Sequence, residues 1–336
     1  MIHSLRSGVL QAMTPEGYRL PVIDITHPAF RLADAPEDIE ALRRAWLETM
    51  RRQRWMPPPV MRLLLRLAAR RSLLVKALFQ PDGNVLPGLT TYVLKLGADN
   101  LVPPFDSPVD RRLAASELVV SIRLRLQQTA RLTVDGLRGD LAGAARAPLA
   151  LINIGGGPAI DSLNALIVLR KEAPQLLERP VTVHVLDPDS GGPAFGAAAL
   201  AALSGPGGPL EGVAVQFAHV AYDWNDAAVL RRLAGDLTGA GAIVAASSEG
   251  ALFEYADDDA VVANLAALKA GGAVQVTGSV TRSDPMTLRM LANSRFALKP
   301  RGIDRFAALA QTAGFTVAQV RPALISDQVL LRPQAA

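Results

Sequence analysis

From about residue 149 onward, short apolar runs alternate with segments of helical periodicity. Helical patterns begin near Ala159, Pro193, Asp226 and Asp257. Apolar strands that alternate with helices indicate a parallel β-sheet covered on both faces. The runs with strand character are 149–154, 181–186, 213–217, 242–245 and 273–277.

The last part of the chain has a different pattern. A helical segment at 302–313 precedes two apolar runs, 315–321 and 328–332, that are close in sequence. Strands joined by so short a connection are antiparallel. We therefore expect an antiparallel pair to close the otherwise parallel sheet.

The first 138 residues predict a mainly helical domain. A helical pattern follows Asp34 and Pro36, another follows three prolines at 57–59, and a turn-rich stretch occupies 80–84. Ser107 and Asp110 form the pattern of a capping box, which predicts a long helix to about Leu132. Residues 139–148 resemble a linker, so we place a domain boundary between 1–138 and 139–336.

Composition narrows the class of protein. Half of the residues are apolar and the net charge is only +4, which favours a folded core and makes nucleic-acid binding unlikely. The absence of cysteine excludes disulfides and thiolate zinc sites, and four scattered histidines predict no metal site. The start lacks a secretory pattern, and basic residues interrupt the apolar stretch 60–79. We expect a cytoplasmic protein without a membrane span.

The residues that could bind a ligand follow the ends of three predicted strands. The first strand runs into Gly155-Gly156-Gly157, a turn that would let a ligand approach the main chain, although a plain strand-to-helix corner has the same pattern. Asp187 ends the second strand, where a carboxylate can bind both hydroxyls of a ribose. Asp223 and Trp224 follow the third strand, where an acid can accept from an adenine amino group and an aromatic ring can stack.

This order of strands, glycine turn and acids resembles class I S-adenosylmethionine-dependent methyltransferases over about residues 140–336. The resemblance implies a Rossmann-like α/β fold, a mostly parallel seven-stranded sheet with an antiparallel closing strand, and S-adenosylmethionine as cofactor. It also implies that the helical part forms a lid over a small-molecule acceptor. Carried over by position, the cofactor-binding residues are Asn153, Gly155, Gly156, Gly157, Asp187, Asp223, Trp224, Ser247 and Ser248.

Two positions depart from common patterns of the family. Asn153 stands where many members have an acid that neutralises the cofactor's ammonium. The unprotonated form of the cofactor's amine is therefore less disfavoured here than in those members. Ser247-Ser248-Glu249-Gly250 replaces the signature of many enzymes that methylate amino groups of nucleic-acid bases.

A nicotinamide-binding domain is also disfavoured, because Ile160 occupies a position where its fingerprint needs glycine or alanine.

We expect methyl transfer to a small molecule, in specialised metabolism. A base is needed only if the acceptor loses a proton, and the candidates are Glu249, His219 and Tyr222. Glu249 could equally be a helix-start carboxylate, and His219 a solvent-facing histidine. One alternative is a cyclase that converts the cofactor to azetidine-2-carboxylate and methylthioadenosine. Another is a non-catalytic binding protein. The oligomeric state stays open, with a homodimer as one option.

Overall fold

The computed structural model describes residues 6–53, 58–78, 88–144, 146–292 and 296–335. The turn expected at 80–84 lies outside these residues. The described helices are α1 (Pro36–Gln53), α2 (Pro58–Ala69), α3 (Leu73–Leu78), α4 (Gly88–Lys95), α5 (Pro108–Ala114), α6 (Glu117–Gly143), α7 (Ile160–Glu172), α8 (Gly191–Ser204), α9 (Ala228–Gly239), α10 (Leu252–Tyr255), α11 (Asp258–Ala270), α12 (Pro285–Ala292) and α13 (Gly302–Thr312). The described strands are β1 (Gln11–Met13), β2 (Arg19–Pro21), β3 (Leu149–Ile154), β4 (Val181–Leu186), β5 (Val215–Val220), β6 (Ile243–Ser248), β7 (Gln275–Thr281), β8 (Phe315–Pro322) and β9 (Ser326–Pro333).

Among the described residues, seven strands form one mixed sheet in the order β5-β4-β3-β6-β7-β9-β8. Strands β3 to β7 pair in parallel, and β9 is antiparallel to both β7 and β8. This confirms the predicted Rossmann-like sheet with an antiparallel closing strand. The chain order reverses at β3, between β4 and β6. Ligands of such sheets bind at the carboxyl ends of the strands beside this switch point.

Strand β3 lies at the centre and is buried along its whole length. Leu149 and Leu151 belong to the core shared with α7, α8 and the N-terminal segment. Ala150 and Ile152 belong to the core shared with α9, α11 and α13. Successive side chains of a strand point to opposite faces, so a strand between two cores is apolar at nearly every position, and Asn153 is the polar exception in β3. This explains why the apolar runs predict the central strands so well.

The helices before the sheet differ from the sequence-based expectation. The capping box is confirmed, since Ser107 Oγ accepts from the Asp110 amide at 3.2 Å and Asp110 Oδ2 accepts from the Ser107 amide at 3.3 Å. However, the single helix expected to Leu132 is two helices, α5 and α6. The linker prediction is wrong for residues 139–143, which continue α6.

Packing against the sheet explains the length of α6. Leu137 and Leu141 are fully buried. A methyl group added to Gly136 would lie 1.8 Å from Gln275 Oε1, so glycine allows the helix to approach β7 closely. Burial of this face outweighs the low helix propensity of the glycines near its end. The division of the chain at residue 139 stays a prediction.

The N-terminal segment that contains β1, β2 and Ile23 is hydrogen-bonded to helices α4 and α7. Its β1–β2 hairpin was not predicted, because three-residue strands give too short a pattern. Asn164 of α7 donates to the Ile23 carbonyl at 3.0 Å and accepts from the Ile25 amide at 2.8 Å. The Tyr92 hydroxyl donates to the Pro21 carbonyl at 2.6 Å. None of the helices within the described ranges combines the length and apolar character needed to span a bilayer.

Candidate functional site

The glycine turn after β3 is bound directly to the tip of β4. Gly155 and Gly157 have φ angles of 67° and 55°, in the left-handed region that favours glycine. The Gly157 amide donates to Asp187 Oδ2 at 3.0 Å, and the Asp189 amide donates to Asp187 Oδ1 at 3.0 Å. The Asp187 carboxylate therefore holds the turn in place at the switch point.

Asp187 retains the capacity to bind a ligand. Burial raises the pKa of its carboxyl, and the amides of Asp189 and Gly157 oppose that rise. Each carboxylate oxygen has more than one acceptor site, so oxygens that accept one amide each can still accept from a diol. The structure thus leaves the predicted ribose contact chemically feasible.

His219 lies within β5, rather than after it as expected, and is exposed. Its Nε2 is 2.9 Å from the Asp187 carbonyl oxygen, a distance at which a protonated Nε2 donates. The imidazole therefore stands at the same edge of the sheet as the predicted ribose site.

Trp224 closes over the glycine turn. A methyl group added to Gly155 would lie 2.7 Å from Ala251 Cβ and 3.3 Å from a ring carbon of Trp224. The exposed Asp223 accepts at Oδ1 from the backbone and side-chain nitrogens of Asn225, at 2.9 and 2.8 Å. The structure therefore brings Trp224 to the turn and leaves Asp223 exposed to solvent.

Tyr222 supports this loop from beneath. Its hydroxyl donates to Asn264 Oδ1 at 2.6 Å, and Asn264 Nδ2 donates to the Trp224 carbonyl at 2.7 Å. Tyr222 is 5% exposed, and burial raises the pKa of its phenol. A buried phenol with a raised pKa and an engaged hydroxyl is suited to positioning the loop rather than to proton transfer.

The serines expected after the fourth strand are the last two residues of β6. The ladder continues because Ser247 and Ser248 pair in register with Thr277 and Gly278 of β7. Ser247 Oγ lies 3.1 Å from Asn153 Nδ2, which donates to it. Ser248 Oγ donates to the Ile154 carbonyl at 3.0 Å. Ser247 thus faces the predicted methionine site, while Ser248 joins β6 to β3.

A buried ion network connects the helices α4 and α6 to the end of β6. Lys95 and Arg125 both pair with Glu249, and Arg125 Nη1 also lies 3.0 Å from Glu254 Oε2. All four residues are at most 7% exposed. Sequence reasoning missed Lys95, since 154 residues separate it from Glu249.

This ion network determines whether the Glu249 carboxylate can act as a base. Burial acts to raise the pKa of its carboxyl, but the charges of Lys95 and Arg125 lower it overall. A carboxylate with both oxygens paired and a lowered pKa is a weak proton acceptor. The geometry therefore favours a structural ion pair over the catalytic base considered from sequence.

Two residues of the helical part, Tyr92 and Arg123, bind backbone groups of the N-terminal segment. The Tyr92 hydroxyl is bound to backbone groups, and the Arg123 guanidinium donates to the Phe30 carbonyl at 3.3 Å. Within the described part of the chain, no cluster of three or more histidine, aspartate or glutamate side chains is arranged to hold a metal ion.

Comparison with known proteins gives likeness of structure without likeness of sequence. No protein-family model and no curated protein matches the sequence. The structure of a possible exported protein from Bordetella parapertussis is similar, with a TM-score of 0.54 and 18% identity over 90% of this chain and 100% of that chain.

Two other solved structures are more distantly similar. An O-methyltransferase family protein from Burkholderia thailandensis has a TM-score of 0.41 and 14% identity, over 68% of this chain and 61% of that chain. The pyocyanin biosynthetic protein PhzM has a TM-score of 0.39 and 14% identity, over 67% of this chain and 59% of that chain. This chain thus spans less than two thirds of either protein's length. The likeness concerns the fold alone: the chain has a Rossmann-like sheet whose strand arrangement is the one expected from the resemblance to class I S-adenosylmethionine-dependent methyltransferases.

Proposed function

We propose that this protein is a methyltransferase that uses S-adenosylmethionine and acts on a small molecule in specialised metabolism. The observation that carries the proposal is the hydrogen bond from the Gly157 amide to Asp187 Oδ2. It joins a glycine turn to a carboxylate at the switch point of the sheet, where nucleotide ligands of this architecture bind.

The neighbouring residues fit the proposed cofactor in chemical kind. Asp187 offers carboxylate oxygens for the two ribose hydroxyls, and Asp223 with Trp224 offers an acceptor and an aromatic face for adenine. The Gly155–Gly157 turn lets the backbone approach an amino-acid tail. Beside it, Asn153 Oδ1 is buried and accepts no hydrogen bond from the described residues. An acceptor in that position suits a ligand with a donor group.

In this proposal the protein acts mainly by positioning. When bound, S-adenosylmethionine supplies a methyl group already activated by its sulfonium. The protein's residues align it with an acceptor, because proximity and orientation can remove a large part of the barrier to such a displacement. Of the three candidate bases, Tyr222 and Glu249 are engaged in structural contacts. His219 is therefore the proposed base for an acceptor that must lose a proton.

The ion network supports a lid role for the helical part. Lys95 of α4 and Arg125 of α6 reach Glu249 at the end of β6, so these helices border the proposed site. A small acceptor held between the helices and the strand ends fits this arrangement. The cytoplasmic location, the lack of a nucleic-acid partner and the homodimer option stay predictions.

A second reaction uses the same site. The neutral Asn153 beside the turn favours it, because cyclisation needs the cofactor's amine without its extra proton. A bond forms between that nitrogen and the γ-carbon, the γ-carbon–sulfur bond breaks, methylthioadenosine leaves and the nitrogen releases a proton. Azetidine-2-carboxylate is the other product.

One assay separates these functions. The full chain is incubated with S-adenosylmethionine, alone and with a panel of phenolic, amine and carboxylate acceptors, and the nucleosides are identified by mass spectrometry. Adenosylhomocysteine that depends on an acceptor supports methyl transfer, and methylthioadenosine without an acceptor supports cyclisation. Binding without turnover supports the non-catalytic alternative. Absence of binding to the wild-type protein overturns the proposal.

A further inference from the structure

Asp161 is a buried carboxylate that the assignments above do not use. It is the second residue of α7 and is 2% exposed. Its Oδ1 accepts from Asn153 Nδ2 at 2.7 Å. Asn153 itself is fully buried and also donates to Ser162 Oγ at 3.2 Å. The two side chains therefore form a fixed pair beneath the glycine turn.

This pair presents two acceptor oxygens without donors. Asp161 Oδ2 and Asn153 Oδ1 have no hydrogen-bond donor among the described residues, although hydrogen bonds from Ser247 and Ser162 to the Asp161 carboxyl act to lower its pKa. A carboxylate is an acceptor only, so Asn153 directs its Nδ2 toward Asp161, and its Oδ1 receives no donor from that side chain. Buried acceptors in proteins nearly always have a donor, and two such atoms in one pair call for a ligand that donates.

The oxygens lie where an amino-acid tail would enter. A methyl group added to Gly156 would lie 1.9 Å from Asn153 Oδ1, so this oxygen is pressed against the turn itself. Asp161 stands in the first turn of α7, where the helix dipole favours a negative charge. The hydrogen bond from Asn153 Nδ2 to Asp161 Oδ1 therefore brings both side chains to the end of β3.

The local charge balance points to a cationic ligand. The charges of Glu249 and Lys95 both act on Asp161. Glu249 also pairs with Arg125, which pairs with Glu254, so three carboxyls and two basic side chains form one buried network, and one bound cation would balance the third carboxyl when all are ionised. Burial raises the pKa of Asp161, and a bound cation would favour its ionised form. The members of the cluster are Lys95, Arg125, Asp161, Glu249 and Glu254.

We propose that Asp161 and Asn153 together bind the α-ammonium of the cofactor's amino-acid part. Asp161 supplies from the helix the negative charge that Asn153 does not supply from the strand. This inference rests on the proposed function and names residues for one end of its ligand. A carboxylate that stabilises the ammonium favours methyl transfer, and for cyclisation the bound ammonium must first lose its extra proton.

The test compares two nucleosides that differ in the amino acid. Adenosylhomocysteine carries the ammonium, and methylthioadenosine has the same nucleoside and thioether without it. Asp161→Asn keeps the size of the side chain and removes its charge. Calorimetric titration of this variant should show adenosylhomocysteine binding at least tenfold weaker, with methylthioadenosine binding unchanged. The exposed Asp236→Asn serves as the matched control and should alter neither affinity.

Each other outcome has a distinct meaning. Equal weakening of both nucleosides assigns Asp161 a structural role in the turn and overturns the inference, as does unchanged binding of adenosylhomocysteine. The exchanged variant Asp161→Asn with Asn153→Asp restores the charge within the pair. Recovered affinity for adenosylhomocysteine supports the inference, and a folded double variant without recovery contradicts it.

A final comparison needs no substitution. An adenosylhomocysteine analogue that lacks only the amino group should bind the wild-type protein at least tenfold more weakly, and equal binding overturns the inference. Failure of the wild-type protein to bind either adenosylhomocysteine or methylthioadenosine instead overturns the proposed function. The two failures are therefore distinguishable.

Discussion

Gly192 at the start of α8 lies so close to Gly157 that a methyl group added at position 192 would stand 2.8 Å from the Gly157 Cα. This contact places the helix against the back of the glycine turn. Two glycines are needed here for different reasons, since Gly157 has a positive φ and Gly192 must leave room for it.

Substitution of Gly192 by alanine should therefore displace the turn. We expect Gly192→Ala to lower the free energy of unfolding by about 1–3 kcal/mol through overpacking, and to weaken adenosylhomocysteine binding as well. Gly235→Ala in α9 is the control, because no atom lies within 4 Å of its added methyl group. That change should stabilise by roughly 0.5–1 kcal/mol. Chemical denaturation measures both, and equal stability changes would contradict the prediction.

Asp187 tests the ribose assignment. We expect Asp187→Ala to weaken adenosylhomocysteine binding by about 1.5–3 kcal/mol, the usual scale for hydrogen bonds to a charged group. Part of this loss would come from the Gly157 amide, which loses its acceptor. Titration calorimetry on a variant with wild-type circular dichroism checks the value, with Asp236→Ala as an exposed control. Unchanged affinity would count against the ribose contact.

Glu249 should matter more for stability than for proton transfer. Replacement by glutamine leaves Lys95 without this partner in a buried site, at a cost of roughly 3–5 kcal/mol. The exposed Glu178→Gln is the control and should change stability little. If Glu249 were instead a base, its loss would reduce turnover while the denaturation midpoint stayed unchanged.

The same residue predicts a pH dependence. The pKa of Glu249 is lowered in the folded protein, so its contribution is complete above its unfolded pKa and is lost as the pH falls through the folded value. The stability difference between wild type and Glu249→Gln should stay constant near neutral pH and shrink below about pH 4.3, the ordinary glutamate value. Urea denaturation across this range measures it. A difference that grew on acidification would contradict the ion-pair assignment.

Tyr222 tests the distinction between support and catalysis. In Tyr222→Phe the fully buried Asn264 loses its donor at Oδ1, which should cost about 1–3 kcal/mol of stability. Adenosylhomocysteine affinity should fall modestly, because Asn264 also holds the Trp224 carbonyl. Turnover at saturating cofactor should be largely retained, whereas loss of a catalytic base would reduce it about 100-fold or more. Tyr18→Phe, at an exposed tyrosine, is the control.

Local patterns in the sequence are sufficient to predict much of this architecture. The capping box at Ser107 depends on atoms three residues apart, and the central strands are apolar because both faces are buried. The glycine turn and Asp187 are predictable for a similar reason, since strand ends mark the edge of a parallel sheet where ligands bind. By contrast, the end of α6 was misjudged, because its glycines are tolerated only through packing on the sheet.

The roles of individual side chains depended on contacts between distant parts of the chain. From its position in the sequence, Glu249 could be a base. In the fold it pairs with Lys95 and Arg125, which lie 154 and 124 residues earlier in the chain. Asp161 resembles an ordinary acid in the first turn of a helix, and only the fold sets it against Asn153. Periodicity and capping act over a few residues and are therefore legible in sequence. The burial of a side chain and the charges around it depend on which helices and strands pack together, and only the tertiary structure determines this packing.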